Sequence, residues 1–152
     1  MKKDTQAASL FVLASMLVIG IAWGTQASLP ISREAGKSLG MGVFLLGMVL
    51  FTWAVTCLQE GFLGKVAPAS NRLVTTGPYR WVRHPLYLSM IVALLGLALA
   101  FRSLWGIAGV LALFVPAVVY RARLEEQALG TQFGEDWHAY ARRTAFLLPM
   151  LW

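Results

Sequence analysis

Two stretches of this 152-residue chain crowd functional side chains together: Arg80-Trp81-Val82-Arg83-His84-Pro85-Leu86-Tyr87 and Tyr120-Arg121-Ala122-Arg123-Leu124-Glu125-Glu126. The residue types suit the binding of small charged groups. An arginine grips a carboxylate through two parallel hydrogen bonds. A glutamate accepts from hydroxyls or balances a positive centre. Pro85 suits the first turn of a helix, where its missing N–H costs nothing, and the free backbone N–H groups of such a turn can receive an anion. Simpler roles exist for the same residues. Arg83 could snorkel to a membrane interface while His84 fills a boundary position. Arg121 could pair with Glu125 four residues on, and Arg123 with Glu126 three on. Such exposed helix pairs contribute only about 0.2–0.5 kcal/mol each.

The elements that must position these residues are apolar. Hydrophobic residues make up 58% of the chain and charged ones 13%, against roughly 25% charged in ordinary soluble domains. A single domain of this size has too little interior to hide that much apolar surface, so the bilayer is the expected solvent. Four runs read as spans, at about residues 7–24, 39–58, 86–101 and 103–120, and none holds a charged side chain. Each has about 16–20 residues, near the roughly 20 that a bilayer core demands. The fold class expected is therefore an all-α integral membrane protein, one domain of about four transmembrane helices. Its long connection, 59–85, and its tail, 121–152, would lie on one side. The first run, with Lys2 and Lys3 ahead of it, has a signal peptide as its alternative.

Charge orients the bundle. With four spans both termini share a side, which collects Lys2, Lys3, Lys65, Arg72, Arg80, Arg83, Arg121, Arg123, Arg142 and Arg143. The other side holds Arg33, Lys37 and Arg102. The positive-inside rule places the richer side in the cytoplasm. The net charge of +6 then points to membrane lipid as a partner. The basic residues form no single stripe of the kind that binds nucleic acid, and no metal is expected. Cys57 stands alone in an apolar run and can form no internal disulfide. Gly40, Gly42, Gly47, Gly106 and Gly109 suit close helix packing, with contact between a cofactor and Gly40-Met41-Gly42 as the alternative. Pro116 should kink the fourth span.

Geometry joins the two polar stretches. Between them lie two short spans and a tight turn at Arg102-Ser103, an antiparallel hairpin that brings the chain back to its starting face. Seventeen helical residues cover about 26 Å. Arg83, His84, Arg121 and Glu125 should therefore meet at one mouth beside lipid.

At these residues the chain resembles a known family. Leu73-Val74-Thr75-Thr76-Gly77-Pro78-Tyr79, then Arg83-His84-Pro85-Leu86-Tyr87, Glu125-Glu126, Phe133-Gly134-Glu135, Tyr140 and Pro149 look like the isoprenylcysteine carboxyl methyltransferases, and the related phospholipid N-methyltransferases share much of the pattern. The resemblance covers roughly Asn71 to Pro149, and the first two spans carry no diagnostic motif. It implies a helical membrane bundle with a cytoplasmic pocket for S-adenosylmethionine. In it Asn71, Arg72, Leu73 and Val74 would line the nucleotide, and Tyr79 would pack on it. His84, Pro85, Leu86 and Tyr87 would hold the methionine end. Glu125, with Glu126 beside it, would bind the cofactor, and Arg121 would hold the carboxylate of a lipophilic small-molecule or lipidated acceptor. An amine or a thiol acceptor stays open. A membrane reductase of the sterol type, using NADPH, shares a related R-H-P-x-Y stretch. A non-enzymatic four-span protein is the third reading, although transporters usually place an ionisable group within a span.

Overall fold

The computed structural model describes residues 2–26, 28–58 and 73–148. Asn71 and Arg72 of the expected nucleotide segment, Lys65 and Pro149 lie outside them. The fold is all-helical: α1 (Lys2–Gly24), α2 (Arg33–Leu58), a 3₁₀ turn (Gly77–Arg80), α3 (Pro85–Ala100), α4 (Leu104–Gly109), a π turn (Val110–Phe114), α5 (Val115–Phe133) and α6 (Glu135–Ala141). The stretch α4–π–α5 is one continuous helical rod, Leu104–Phe133, apolar up to Tyr120 and polar from Arg121 onward. It, α1 and α2 are long and apolar enough to cross a membrane, and α3 is a shorter apolar helix. The chain is thus an integral membrane protein.

Local chemistry sets the helix boundaries. Ser32 accepts the Ala35 N–H at 3.1 Å, so α2 begins ahead of the expected span and takes in Arg33 and Lys37. The turn at Arg102-Ser103 is as tight as expected: Arg102 sits in the left-handed region at φ 57°. Ser103 then caps α4 by accepting from Gly106 N at 2.8 Å. The disturbance at Pro116 takes the form of the π turn just before it. A proline offers no N–H to the preceding turn and its ring crowds the carbonyl there, and a wider turn relieves both.

The helices run antiparallel in sequence order. A Cβ on Gly40 would strike the backbone of Ala100, and one on Gly47 would lie 2.6 Å from Ala93 N. So α2 and α3 pack backbone to backbone. At the α1–α4 seam a Cβ on Gly106 would lie 2.8 Å from Ala22 Cβ. Gly42 differs from its neighbours: nothing comes within 4 Å of a Cβ built there. Of the Gly40-Met41-Gly42 stretch, Gly40 alone packs into the seam, against Ala100 at the end of α3 away from His84.

One end of the bundle carries Arg33, Lys37 and Arg102, and is tied by the Leu29 N–H to the Arg102 carbonyl at 2.8 Å and the Thr25 and Ser103 hydroxyls at 2.6 Å. The other end carries His84 and the start of α3. Beneath it lies the apolar core of Val18, Ile91, Val110, Phe114 and Val118, with Phe11 and Tyr87 against its upper edge.

Candidate active site

Two neighbouring glutamates on α5 organise the site end. Successive residues on a helix point about 100° apart, so Glu125 and Glu126 serve different partners. Glu125 Oε2 accepts from the Tyr87 hydroxyl on α3 at 2.9 Å. Glu126 Oε1 accepts from Arg83 Nε at 2.6 Å and lies 3.3 Å from His84 Nε2. The exposed i, i+3 pair foreseen between Glu126 and Arg123 gives way here to a bond across elements with Arg83, itself half-buried.

Arg121, one turn before Glu125, is 7% exposed. Its Nε donates to the Tyr87 oxygen at 3.0 Å. One tyrosine hydroxyl therefore joins Arg121 to Glu125. The guanidinium also lies 5.8 Å from the centre of the Phe11 ring on α1. A cation above an aromatic face is attracted by the ring quadrupole, the more so away from water. Phe11 in turn meets Tyr87 edge-on at 5.9 Å.

The loop ahead of α3 is fixed from three directions. Gly77 has φ 60°, a left-handed conformation that favours glycine, and a Cβ there would strike Cys57 Sγ at the end of α2. Trp81 stacks edge-on with Trp53 at 5.8 Å. Both indoles are exposed. The chain after α6 returns to pair with this loop. Val82 and Ala145 form a parallel bridge, with Arg83 N donating to Ala145 O at 2.8 Å and Ala145 N to Trp81 O at 3.0 Å. Arg83 Nη1 donates to the carbonyls of Ala141 and Thr144. The Phe146 ring lies 5.2 Å from the His84 ring and 5.7 Å from the Arg83 guanidinium. Below, the Tyr140 hydroxyl donates to the Tyr79 carbonyl at 2.7 Å. Burial pushes the Tyr140 phenol up to about 12. Burial, with the Glu125 charge near it, also raises Tyr79. Burial thus favours the neutral form of both phenols.

The expected site residues thus fall into groups. His84, Tyr87, Arg121, Glu125 and Glu126 converge at one mouth. Pro85 opens α3 as expected, with Leu86 half-buried in its first turn. Tyr79 is buried in the adjoining 3₁₀ turn. Leu73 and Val74 lie half-buried in the irregular stretch leading to it and offer no side-chain hydrogen bond. An open groove of about 580 Å³ runs between α5 and α6 past Arg123, Glu126, Thr131, Trp137 and His138, so Glu126 also faces water. Phe11 and Phe146 were not foreseen. Phe11 is one apolar residue within an apolar run, and Phe146 arrives through a pairing between segments distant in sequence.

The residues fit S-adenosylmethionine by their chemistry. Half-buried carboxylates at Glu125 and Glu126 suit its positive centre and its ribose hydroxyls, and the rings of Tyr87 and Phe146 suit a cation or a base. Among the described residues no group of three or more His, Cys, Asp and Glu could hold a metal ion.

Comparison with known proteins bears on the whole arrangement. The chain is similar to the cobalt-zinc-cadmium resistance protein CzcN of Cupriavidus metallidurans, 36% identical over 146 residues, which is 93% of this chain and 60% of that protein. It is similar to the nickel-cobalt-cadmium resistance protein NccN of Alcaligenes xylosoxydans xylosoxydans, 42% identical over 86 residues, 54% of this chain and 38% of that one. The chain thus spans less than two thirds of the length of either. Its fold matches the structure of a eukaryotic intramembrane Ras methyltransferase, isoprenylcysteine carboxyl methyltransferase, with a TM-score of 0.69 at 22% identity, over 94% of this chain and 52% of that one. The model of the phospholipid methyltransferase family matches residues 36–136, a range that takes in α2 from Gly36 onward as well as both polar stretches. The chain belongs to the phospholipid methyltransferase family.

Proposed function

We propose that the chain is a membrane methyltransferase that uses S-adenosylmethionine to methylate the carboxylate of a lipophilic, isoprenylcysteine-like acceptor. The observation that carries this reading is the Tyr87 hydroxyl, which ties Arg121 to Glu125. A group suited to an acceptor carboxylate and a group suited to the cofactor share one fixed atom. The family membership and the fold of the intramembrane Ras methyltransferase support the same chemistry.

The cofactor supplies a methyl group on positively charged sulfur. Glu125 and Glu126 would balance that charge, and His84 and Tyr87 would flank the methionine end. Arg121 holds the acceptor carboxylate through its fork. A carboxylate is ionised near neutral pH, so no general base is required. The bound cofactor would supply its methyl carbon to the carboxylate oxygen, the carbon–sulfur bonding pair leaving with sulfur as a neutral thioether. What the protein contributes is alignment, and well-oriented reactants gain large effective concentrations. The burial of His84 and Arg121, at 4% and 7% exposure, excludes competing water. The acceptor's apolar tail lies in the bilayer beside the helices. The ten-to-three distribution of Lys and Arg supports a cytoplasmic side for this mouth and both termini.

The description of the matched family, phospholipid methyltransferase, favours a second reading with an amine acceptor. The test is direct. Purified protein is titrated by calorimetry with S-adenosylmethionine and with NADPH. It is then incubated with a methyl-labelled donor and, separately, a prenylcysteine, a phosphatidylethanolamine and a membrane lipid extract. A labelled base-labile ester supports the carboxylate reading, and label on the amine supports the second. Binding of NADPH alone would sink both.

A further inference from the structure

His84 is only 4% exposed, although the proposed reading asks it to meet a cofactor that arrives from water. Two rings shield it. Tyr87, 5.6 Å away, belongs to α3. Phe146, 5.2 Å away, belongs to the segment after α6. That segment meets the loop through the pair between Ala145 and the Trp81 and Arg83 peptides and through the carbonyls of Ala141 and Thr144 held by Arg83, and its Leu147 packs against the edge of the apolar core. Arg83 thereby carries two loads at once. Its Nη1 grips the segment, while its Nε holds Glu126 at 2.6 Å. Whatever occupies the space beside Glu126 and His84 is felt by the segment through this one guanidinium.

We infer that Phe146 is a further cofactor-binding residue, the inner face of a roof made by 144–148, and that Arg83 is the positioning residue that latches this roof to Glu126. The inference rests on the proposed use of S-adenosylmethionine. The chemistry of the ring fits that ligand: an aromatic face attracts a cation placed over it, and the sulfonium is such a cation. Arg83 already occupies a comparable place, 5.7 Å from the ring centre. The cofactor enters when the roof lifts, and its binding energy holds the roof down again. A ligand that binds only the closed form stabilises that form by an amount that grows with the logarithm of its concentration above Kd.

The experiment uses the full chain in detergent or nanodiscs, with S-adenosylmethionine and its demethylated product S-adenosylhomocysteine as probes. Calorimetry should show Phe146→Ala binding S-adenosylmethionine at least tenfold more weakly than wild type, and Phe146→Tyr within threefold of it. The neutral thioether product should lose less than S-adenosylmethionine on Phe146→Ala. In wild type, saturating S-adenosylhomocysteine should slow hydrogen exchange at the Arg83 and Ala145 amides at least tenfold. This wild-type measurement decides the matter should Phe146→Ala fail to fold. Unchanged affinity in a folded Phe146→Ala, or exchange at both amides that ignores the ligand, overturns the roof while leaving the methyltransferase reading in place. A wild-type protein that binds neither probe overturns both.

Discussion

Tyr87 donates its hydroxyl proton to Glu125 Oε2 at 2.9 Å while its oxygen accepts from Arg121 Nε at 3.0 Å. The bond crosses from α3 to α5, and the arginine and the glutamate, one helical turn apart, share this hydroxyl as a partner. Tyr87→Phe removes that partner and keeps the ring against Phe11 and His84. Leaving a buried donor or acceptor unpaired costs about 1–3 kcal/mol. The expected outcome is a folded protein with methyl transfer reduced at least tenfold. Turnover equal to wild type on the true acceptor would show the hydroxyl to be incidental.

Glu125→Gln should weaken S-adenosylmethionine binding at least tenfold, about 1.4 kcal/mol. His84→Ala should weaken it as well, since the ring lies 5.6 Å from Tyr87 and 3.3 Å from Glu126. Titration calorimetry in detergent reads both. Wild-type affinity in the two variants would remove these residues from the cofactor site.

Arg121→Lys separates acceptor from cofactor. Lysine keeps the charge and loses the fork, so the change is not conservative at a two-pronged site. The variant should bind S-adenosylmethionine normally and transfer methyl groups poorly. Normal turnover would shift the acceptor towards an amine or a thiol.

Gly96 and Gly42 make a matched pair for stability. A Cβ at Gly96 would strike the backbone of Phe44, and overpacking of a tight seam typically costs about 1–3 kcal/mol. Gly96→Val should lower the melting temperature in detergent, while Gly42→Val, with open space around it, should leave it almost unchanged. Equal effects at the two positions would contradict the backbone-to-backbone seam between α2 and α3.

Orientation can be read with reporter fusions. A fusion after Trp152 should report the cytoplasm, and one inserted near Arg102 the opposite side. A Trp152 fusion found outside would reverse the placement of the whole mouth.

The apolar runs and the hairpin were legible because bilayer thickness and turn chemistry act on neighbouring residues. Once the Arg102-Ser103 turn was placed, the meeting of His84 with the α5 glutamates followed from helix length alone. The choice of partner was harder. Arg123 and Arg83 are equal candidates for Glu126 by charge, and only the direction in which residue 126 points on α5 selects Arg83. Spacing also marked Gly40 and Gly42 as alike, whereas helical rotation turns one into the seam and the other away. Phe11 and Phe146 left no local signal, since each gains meaning from an element far away in the chain. α2 carried no motif, yet the family match begins at Gly36, consistent with its tight fit against α3.

The π turn at Val110–Phe114 sets the phase of everything after it. A π turn holds one more residue than an α turn, and each residue advances a helix by about 100°. It acts as a one-residue insertion whose effect is to swing the following helix around its own axis. Were one residue of Val110–Phe114 deleted and the rod regularised, Arg121, Glu125 and Glu126 would all rotate together by about that angle. Tyr87 would then look onto a different face of α5. The same sequence of functional residues would remain, addressed to the wrong neighbours.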